Sequence, residues 1–289
     1  MNRFSKLITL MALFFITVSV HAQSRGTKGG GVSDALSQME DALAMPDDDL
    51  SPEEAYFLGR AVAANILTRY RLYTRKPALT RYLNQICFAI TVNSPMPDIY
   101  NGYHVAILDS PDLNAFGTIG GHIFICRGLL EALTSEDAVA AVLAHEIAHI
   151  QLRHSAELIK DMKFEQEFSS AAERAAAIAN RDTKLSERDK RFYNSVREMV
   201  ATLFENNYSR EQEFAADTYS LKLLATAGYS PASLINVLTL LQKTGGTGGY
   251  NSTHPLPAQR INNVRREILR YPVRDTRTFR ASRFAESFR

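Results

Sequence analysis

The chain has 289 residues, of which 45% are hydrophobic and 22% charged, with 33 Lys and Arg against 31 Asp and Glu and only two cysteines. That composition belongs to a folded domain with its own core and excludes a fibrous, low-complexity or disulfide-scaffold chain. A net charge near zero gives no global attraction to nucleic acid or anionic lipid, and two cysteines cannot build a Cys-rich zinc site.

The first predicted element is an address rather than a fold. Arg3 and Lys6 precede an apolar run from Leu7 to Val20, and small Ala22 follows, so residues 1–22 read as a secretory signal peptide cut before Gln23. The alternative is an uncleaved anchor, but the run is shorter than the ~20 residues a membrane span needs. Cleavage removes Arg3 and Lys6 and no acidic group, leaving the two signs in balance. Residues 23–50 include "SRGTKGGG" and read as a flexible leader. Export is the expected fate. Cys87 and Cys126 both survive the cut; in an oxidising compartment a disulfide and two buried free thiols both stay open.

Residues 51–270 are expected to form the folded domain. Ser51 as N-cap, Pro52 at the first helical position and Glu53 and Glu54 in the first turn predict a helix to about Leu72. A second is predicted from Pro77 to Val92. "YHVAILD" (103–109) and "HIFIC" (122–126) are β-rich runs that predict a small sheet. "GLLEAL" predicts a short helix, and Thr134 with Asp137 resembles a capping box opening a longer one toward Met162. Residues 163–205 lack Gly and Pro and read as further helix. Another helix is predicted from Arg210 to Ala227, stopped by Gly228. Ser230 and Pro231 open the next, and "STHPLPAQRI" leads into one ending near Arg270. From Arg270 to Arg289 there are six Arg against one Asp and one Glu. Residues 271–289 therefore read as an Arg-rich, solvated tail, with a partner-binding arm as the alternative. The fold class is mostly α with a small β-sheet (α+β).

The chemistry lies in "AVLAHEIAHIQLRH", residues 141–154. Two His four residues apart on a helix differ by ~6 Å of rise and about 40° of rotation, so His145 and His149 share a face and can grip one metal ion. Glu146, one residue round, can then reach a water on that ion, which is the physical basis of H-E-x-x-H in metallopeptidases. An extended zinc motif would need Gly at 152 and His at 155, where the chain has Leu152 and Ser155. On a continuing helix His154 lies about 140° round from His149 and reads as a surface histidine, and Glu157 lies ~12 Å beyond His149, too far to reach the metal. A carboxylate from a second helix is required. Glu213 can supply it, with Asp217 one turn later accepting the other ring N–H of a ligand His; Glu211 is the fallback ligand.

"HEIAH" followed by "EFAAD", with "NAFGTIGGHIFICRGLL" upstream and "STHPLP" downstream, resembles the gluzincin-type zinc metallopeptidases that include the CAAX prenyl protease, HtpX and BepA, over roughly residues 50–270. The resemblance implies one Zn2+ per chain held by His145, His149 and Glu213, with Glu146 as general base and Asp217 behind a ligand His. It implies a compact peptidase domain whose edge strand at the cleft takes substrate as an added strand. "GGHIFI" would be that strand, making Gly121, His122 and Ile123, with Asn114 and Ala115 beside the cleft, the substrate-binding residues. It also implies that His254 can occupy zinc's fourth position as a latch. Oxyanion stabilisation and a structural role stay open for His254. Arg260 pairs with an active-site carboxylate or the transition state, or makes an ordinary helix salt bridge.

No later apolar run is long enough to span a membrane, which argues against a membrane-embedded substrate chamber and against prenyl-protein processing. The expected function is a zinc-dependent endopeptidase of the cell envelope acting on misfolded or unassembled envelope proteins, in contact with envelope-assembly machinery and without nucleic acid. The alternative is a zinc-binding periplasmic chaperone or assembly factor with little turnover.

Overall fold

The computed structural model describes residues 52–155, 208–244, 254, 257–271 and 277–288. The signal peptide, leader, Ser51 cap and the helix expected over 163–205 lie outside the described residues. Helix α1 spans Pro52–Arg69 and α2 spans Pro77–Thr91; strands β1, β2 and β3 span His104–Leu108, Ala115–Gly117 and His122–Cys126. Then come α3 (Arg127–Ala132), α4 (Glu136–Gln151), α5 (Arg210–Thr226), α6 (Ala232–Thr244), α7 (Pro257–Glu267) with a 3-10 turn at Ile268–Arg270, and α8 (Arg277–Phe288). Among the described residues the molecule is mostly helical with one small mixed sheet, as the residue patterns predict. No helix among the described residues is long and apolar enough to cross a membrane.

All sixteen residues of α4 are buried. Its Ala-rich surface lets neighbours approach from every side, and it packs against α5, α6, α2, β2 and α8. Leu79, Leu83, Ile86 and Ile90 form the stripe by which α2 enters the same core. The cap of α4 is Ser135, whose side chain accepts from Ala138 N–H, one residue later than the Thr134–Asp137 box expected. Asp137 is committed elsewhere, accepting from Ser230 N–H at 2.8 Å and from Arg280 Nε at 2.9 Å.

The sheet order is β1-β3-β2, with β1 parallel and β2 antiparallel to β3. This corrects the expected substrate strand. His122–Cys126 is the central strand with both neighbours paired, so the edge at the site falls to Ala115–Gly117, a strand too short to register in the sequence. Ile123 is fully buried, and Gly121 sits in a turn at φ 93 with its carbonyl accepting from His104 N–H. On the far edge, Tyr73 N–H and Asp109 N–H bond Ile107 and Arg71 carbonyls, covering β1.

The tail reading is also corrected. Residues Arg277–Phe288 form a helix, and Arg280 is only 7% exposed. Arg280 and Arg283 pair with Asp137 and Glu136 in the first turn of α4. Negative charge at a helix N-terminus is favourable, but buried carboxylates need counter-charges. The tail's arginines supply them. Cys87 and Cys126 are both free and buried, and burial pushes each thiol up to about 12.

Candidate metal centre

Two capped helices and one returning segment assemble the site. Helix α5 starts with a full capping box: Ser209 Oγ accepts from Gln212 N–H at 3.1 Å, and Gln212 Oε1 accepts from Ser209 N–H at 3.0 Å. That start turns Glu213 and Asp217 onto α4, leaving their side chains 1% and 0% exposed. It turns Glu211 outward, 72% exposed and paired with Arg210, so the fallback ligand faces solvent.

His145 Nε2 and His149 Nε2 are 3.0 Å apart, and Glu213 lies 3.7 Å from the first and 3.4 Å from the second. His254 closes the group, its Nδ1 2.8 Å from Glu213 Oε1 and its Nε2 3.6 Å from Glu146 Oε1. One ligand atom from each of His145, His149, Glu213 and His254 fits within a 4.8 Å spread, and all four residues are buried. Asp217 Oδ1 stands 3.2 Å from His145 Nδ1, on the side of the ring away from this cluster. Arg260, fully buried, binds Asp217 with two hydrogen bonds and places Nη1 2.6 Å from Glu213 Oε2.

Glu146 is anchored by one oxygen. Its Oε2 accepts from Gly117 N–H of the edge strand at 2.8 Å, while Oε1 has no hydrogen bond. The other outward group of Gly117, its carbonyl, faces Ser155 Oγ, which also meets Tyr208 Oη at 2.9 Å. Asn114 is 6% exposed and its Oδ1 accepts from Ala115 N–H, which occupies the next outward group along the same edge. His122 stands apart from the cluster, against Tyr56 and His104.

The electrostatics suit a divalent cation. Burial pushes the Glu213 carboxyl up, but the Arg260 guanidinium and His254 outweigh it and hold it well below the usual carboxylate range. Asp217 is likewise pushed up by burial and brought down further by Arg260 and His145. Burial drives His149 well below the usual imidazole range, keeping it in the neutral form that can ligate. Burial lowers His254, yet the Glu213 and Glu146 carboxylates raise it above its ordinary value. Two buried carboxylates, Glu213 and Asp217, meet the guanidinium of Arg260, and a third, Glu146, lies 3.6 Å from His254. Two imidazoles and a carboxylate are a zinc donor set that leaves one position over.

Two residues of the site escaped sequence reasoning. Helix α4 ends at Gln151, and Arg153 takes a left-handed φ of 60, which turns the chain back. His154 is therefore buried, 6% exposed, with Nδ1 2.9 Å from His149 Nδ1, and the surface position expected on an unbroken helix is wrong. Tyr208 stacks on the His149 ring with centroids 3.9 Å apart. No local signal marks it beyond its place just before the cap of α5.

The family model described as Peptidase family M48 matches residues 76–268. The mitochondrial metalloendopeptidase OMA1 of Arabidopsis thaliana is 34% identical over 86% of this chain and 47% of its own. The metalloprotease LoiP of Escherichia coli K12 is 28% identical over 66% of this chain and 73% of its own. The beta-barrel assembly-enhancing protease of the same strain is 23% identical over 65% of this chain and 39% of its own. The chain thus spans about half, or less, of the length of two of these relatives.

Proposed function

The chain belongs to peptidase family M48, and on that basis we propose that it is a zinc-dependent endopeptidase. The observation that carries this reading is the convergence of His145, His149 and Glu213 beside Glu146, all buried and within ligand reach of one another. His145, His149 and Glu213 would hold the zinc, which when bound supplies a Lewis acid for the scissile carbonyl and acidifies water. Glu146 takes the proton of the attacking water on Oε1 and returns it to the leaving amine. Its bond to Gly117 fixes the other oxygen while this happens. Asp217 keeps the proton of His145 on Nδ1, and Arg260 holds Asp217 and Glu213 in place. Arg260 contacts carboxylates that hold the site, so its role is positioning.

His254 fills the remaining corner of the cluster, and we read it as a latch that keeps the enzyme latent until the imidazole withdraws. The supporting geometry is its 2.8 Å approach to Glu213 with 1% exposure. Strand β2, which Asn114 precedes and Ala115 opens, is the sheet edge beside Glu146, and an extended peptide that added there would exchange with the bonds that Glu146, Ser155 and Asn114 now make to its outward groups. The substrate class is misfolded or unassembled envelope protein in a periplasm, in contact with assembly machinery. Support comes from the signal-like residues 1–22 and from the relatives named for β-barrel assembly. A zinc-binding assembly factor with little turnover is the second reading, favoured by the closure of the site by His254.

The test is degradation of casein by the zinc-loaded mature chain beside Glu146→Gln. Cleavage by the first alone supports the endopeptidase; no cleavage by either with zinc bound moves weight to the assembly factor or the latch. His254→Ala then separates those two: a rise in turnover supports the latch, and a fall removes it.

A further inference from the structure

We propose that His154 is the positioning residue of His149, accepting the Nδ1 proton of that ligand and so turning its Nε2 lone pair toward the metal. The two Nδ1 atoms are 2.9 Å apart with ring planes 71° from each other, an edge-on approach suited to one N–H···N bond. Two ring nitrogens facing one another share a single proton. His149 Nε2 points into the cluster, 3.0 Å from His145 Nε2 and 3.4 Å from Glu213. For Nε2 to offer a lone pair there, the proton of neutral His149 must sit on Nδ1. His154 Nδ1 is then the acceptor, and His154 carries its own proton on Nε2.

The two histidine ligands are consequently backed by different groups: His145 by the Asp217 carboxylate, His149 by the His154 ring. Tyr208 completes the restraint by stacking on the His149 face at 22°. The left-handed Arg153 is what brings His154 there, so the break in α4 is part of the site.

The inference rests on the metallopeptidase reading for the identity of the ligands, and metal binding is therefore measured apart from turnover. Zinc affinity is determined by competition with a chromophoric chelator, and the visible spectrum of the Co2+ form is recorded, for the full chain, His154→Ala and His154→Asn. Asn offers an acceptor oxygen near the place of Nδ1. The expected result is a loss of about 10- to 100-fold in affinity for His154→Ala, with His154→Asn restored to within a few-fold and to the parent Co2+ spectrum. Equal affinity in all three, or equal loss in both variants, overturns the proposal. In the unsubstituted zinc-loaded chain, long-range nitrogen NMR should find the His154 proton on Nε2. A proton on His154 Nδ1 overturns it independently of how the variants fold. A chain that binds zinc with this pattern yet cleaves nothing, as the parent and as His254→Ala, would sink the peptidase reading and leave this one standing.

Discussion

Arg260 and Asp217 are joined by two parallel hydrogen bonds, Nε to Oδ2 at 2.8 Å and Nη2 to Oδ1 at 2.7 Å, and neither side chain reaches solvent. A guanidinium fork is what this geometry needs, because a lysine ammonium cannot make two parallel bonds while also standing against Glu213. Removing one partner of a buried pair leaves an uncompensated charge and costs about 3–5 kcal/mol. Arg260→Leu should therefore lower the urea midpoint by that equivalent in the metal-free chain, and Arg260→Lys should recover only part. Full recovery by lysine would show that charge alone matters.

Gly59 lies within α1, where replacing Gly by Ala ordinarily gains about 1 kcal/mol. Here a Cβ would stand 1.6 Å from the Ile119 carbonyl oxygen in the β2–β3 turn. Backbone cannot rotate away as a side chain can, and overpacking costs about 1–3 kcal/mol or more. Gly59→Ala should destabilise, the reverse of the helical expectation, and it should disturb the strand that anchors Glu146. A thermal midpoint at or above that of the parent would show that the turn yields.

Glu136 is 1% exposed and meets Arg283, Tyr82 and Tyr229. Burial pushes its carboxyl up, but the bonds from Arg283 and Tyr82 outweigh that and hold it below its ordinary value. A depressed carboxyl stabilises the fold fully above its unfolded value of about 4.3 and loses that contribution as pH falls through the folded value. Urea midpoints of the parent and Glu136→Gln should differ at pH 7 and converge toward pH 3. A gap constant over that range would remove Glu136 from the acid response.

Arg280 should matter more than Arg283 to stability, because its pair with Asp137 is 9% and 8% exposed while the Arg283 side chain is 55% exposed. Arg280→Ala leaves Asp137 buried without its counter-charge, a loss of a few kcal/mol. Arg283→Ala leaves Glu136 its two tyrosine hydroxyls, and screening reduces what an exposed partner contributes. Denaturation midpoints in that order are expected, and the reverse order would contradict the docking of α8.

The two thiols should be inert in the native chain. Both are buried and their pKa values are pushed up to about 12, so little thiolate forms. Iodoacetamide at pH 8 should add nothing before unfolding and two groups in urea, counted by mass. A chain that takes up none in urea without reductant would mean a disulfide.

How much of the site was legible depended on the distance along the chain over which the chemistry acts. His145, Glu146 and His149 fall within five residues, and Glu213 with Asp217 within five more, so helical periodicity alone places each set on one face. The capping residues before α5 are local too, which is why its start was readable. The position of His154 was not, since a single left-handed residue ends the periodicity that the extrapolation assumed. The central place of β3 was equally hidden, because three-residue β2 carries no alternation to read.

The sequence by itself determined the helical character, the small sheet, the helix with His145, Glu146 and His149, the helix with Glu213 and Asp217, and the family, because all of these rest on short-range spacing and residue type. Only the tertiary structure decided that Arg260 braces Asp217, that His254 meets Glu213 from 41 residues away, and that the tail's arginines neutralise the start of α4. Those contacts answer to burial. A charge taken from water must find its partner wherever the chain has room for one, and no local pattern records where that will be.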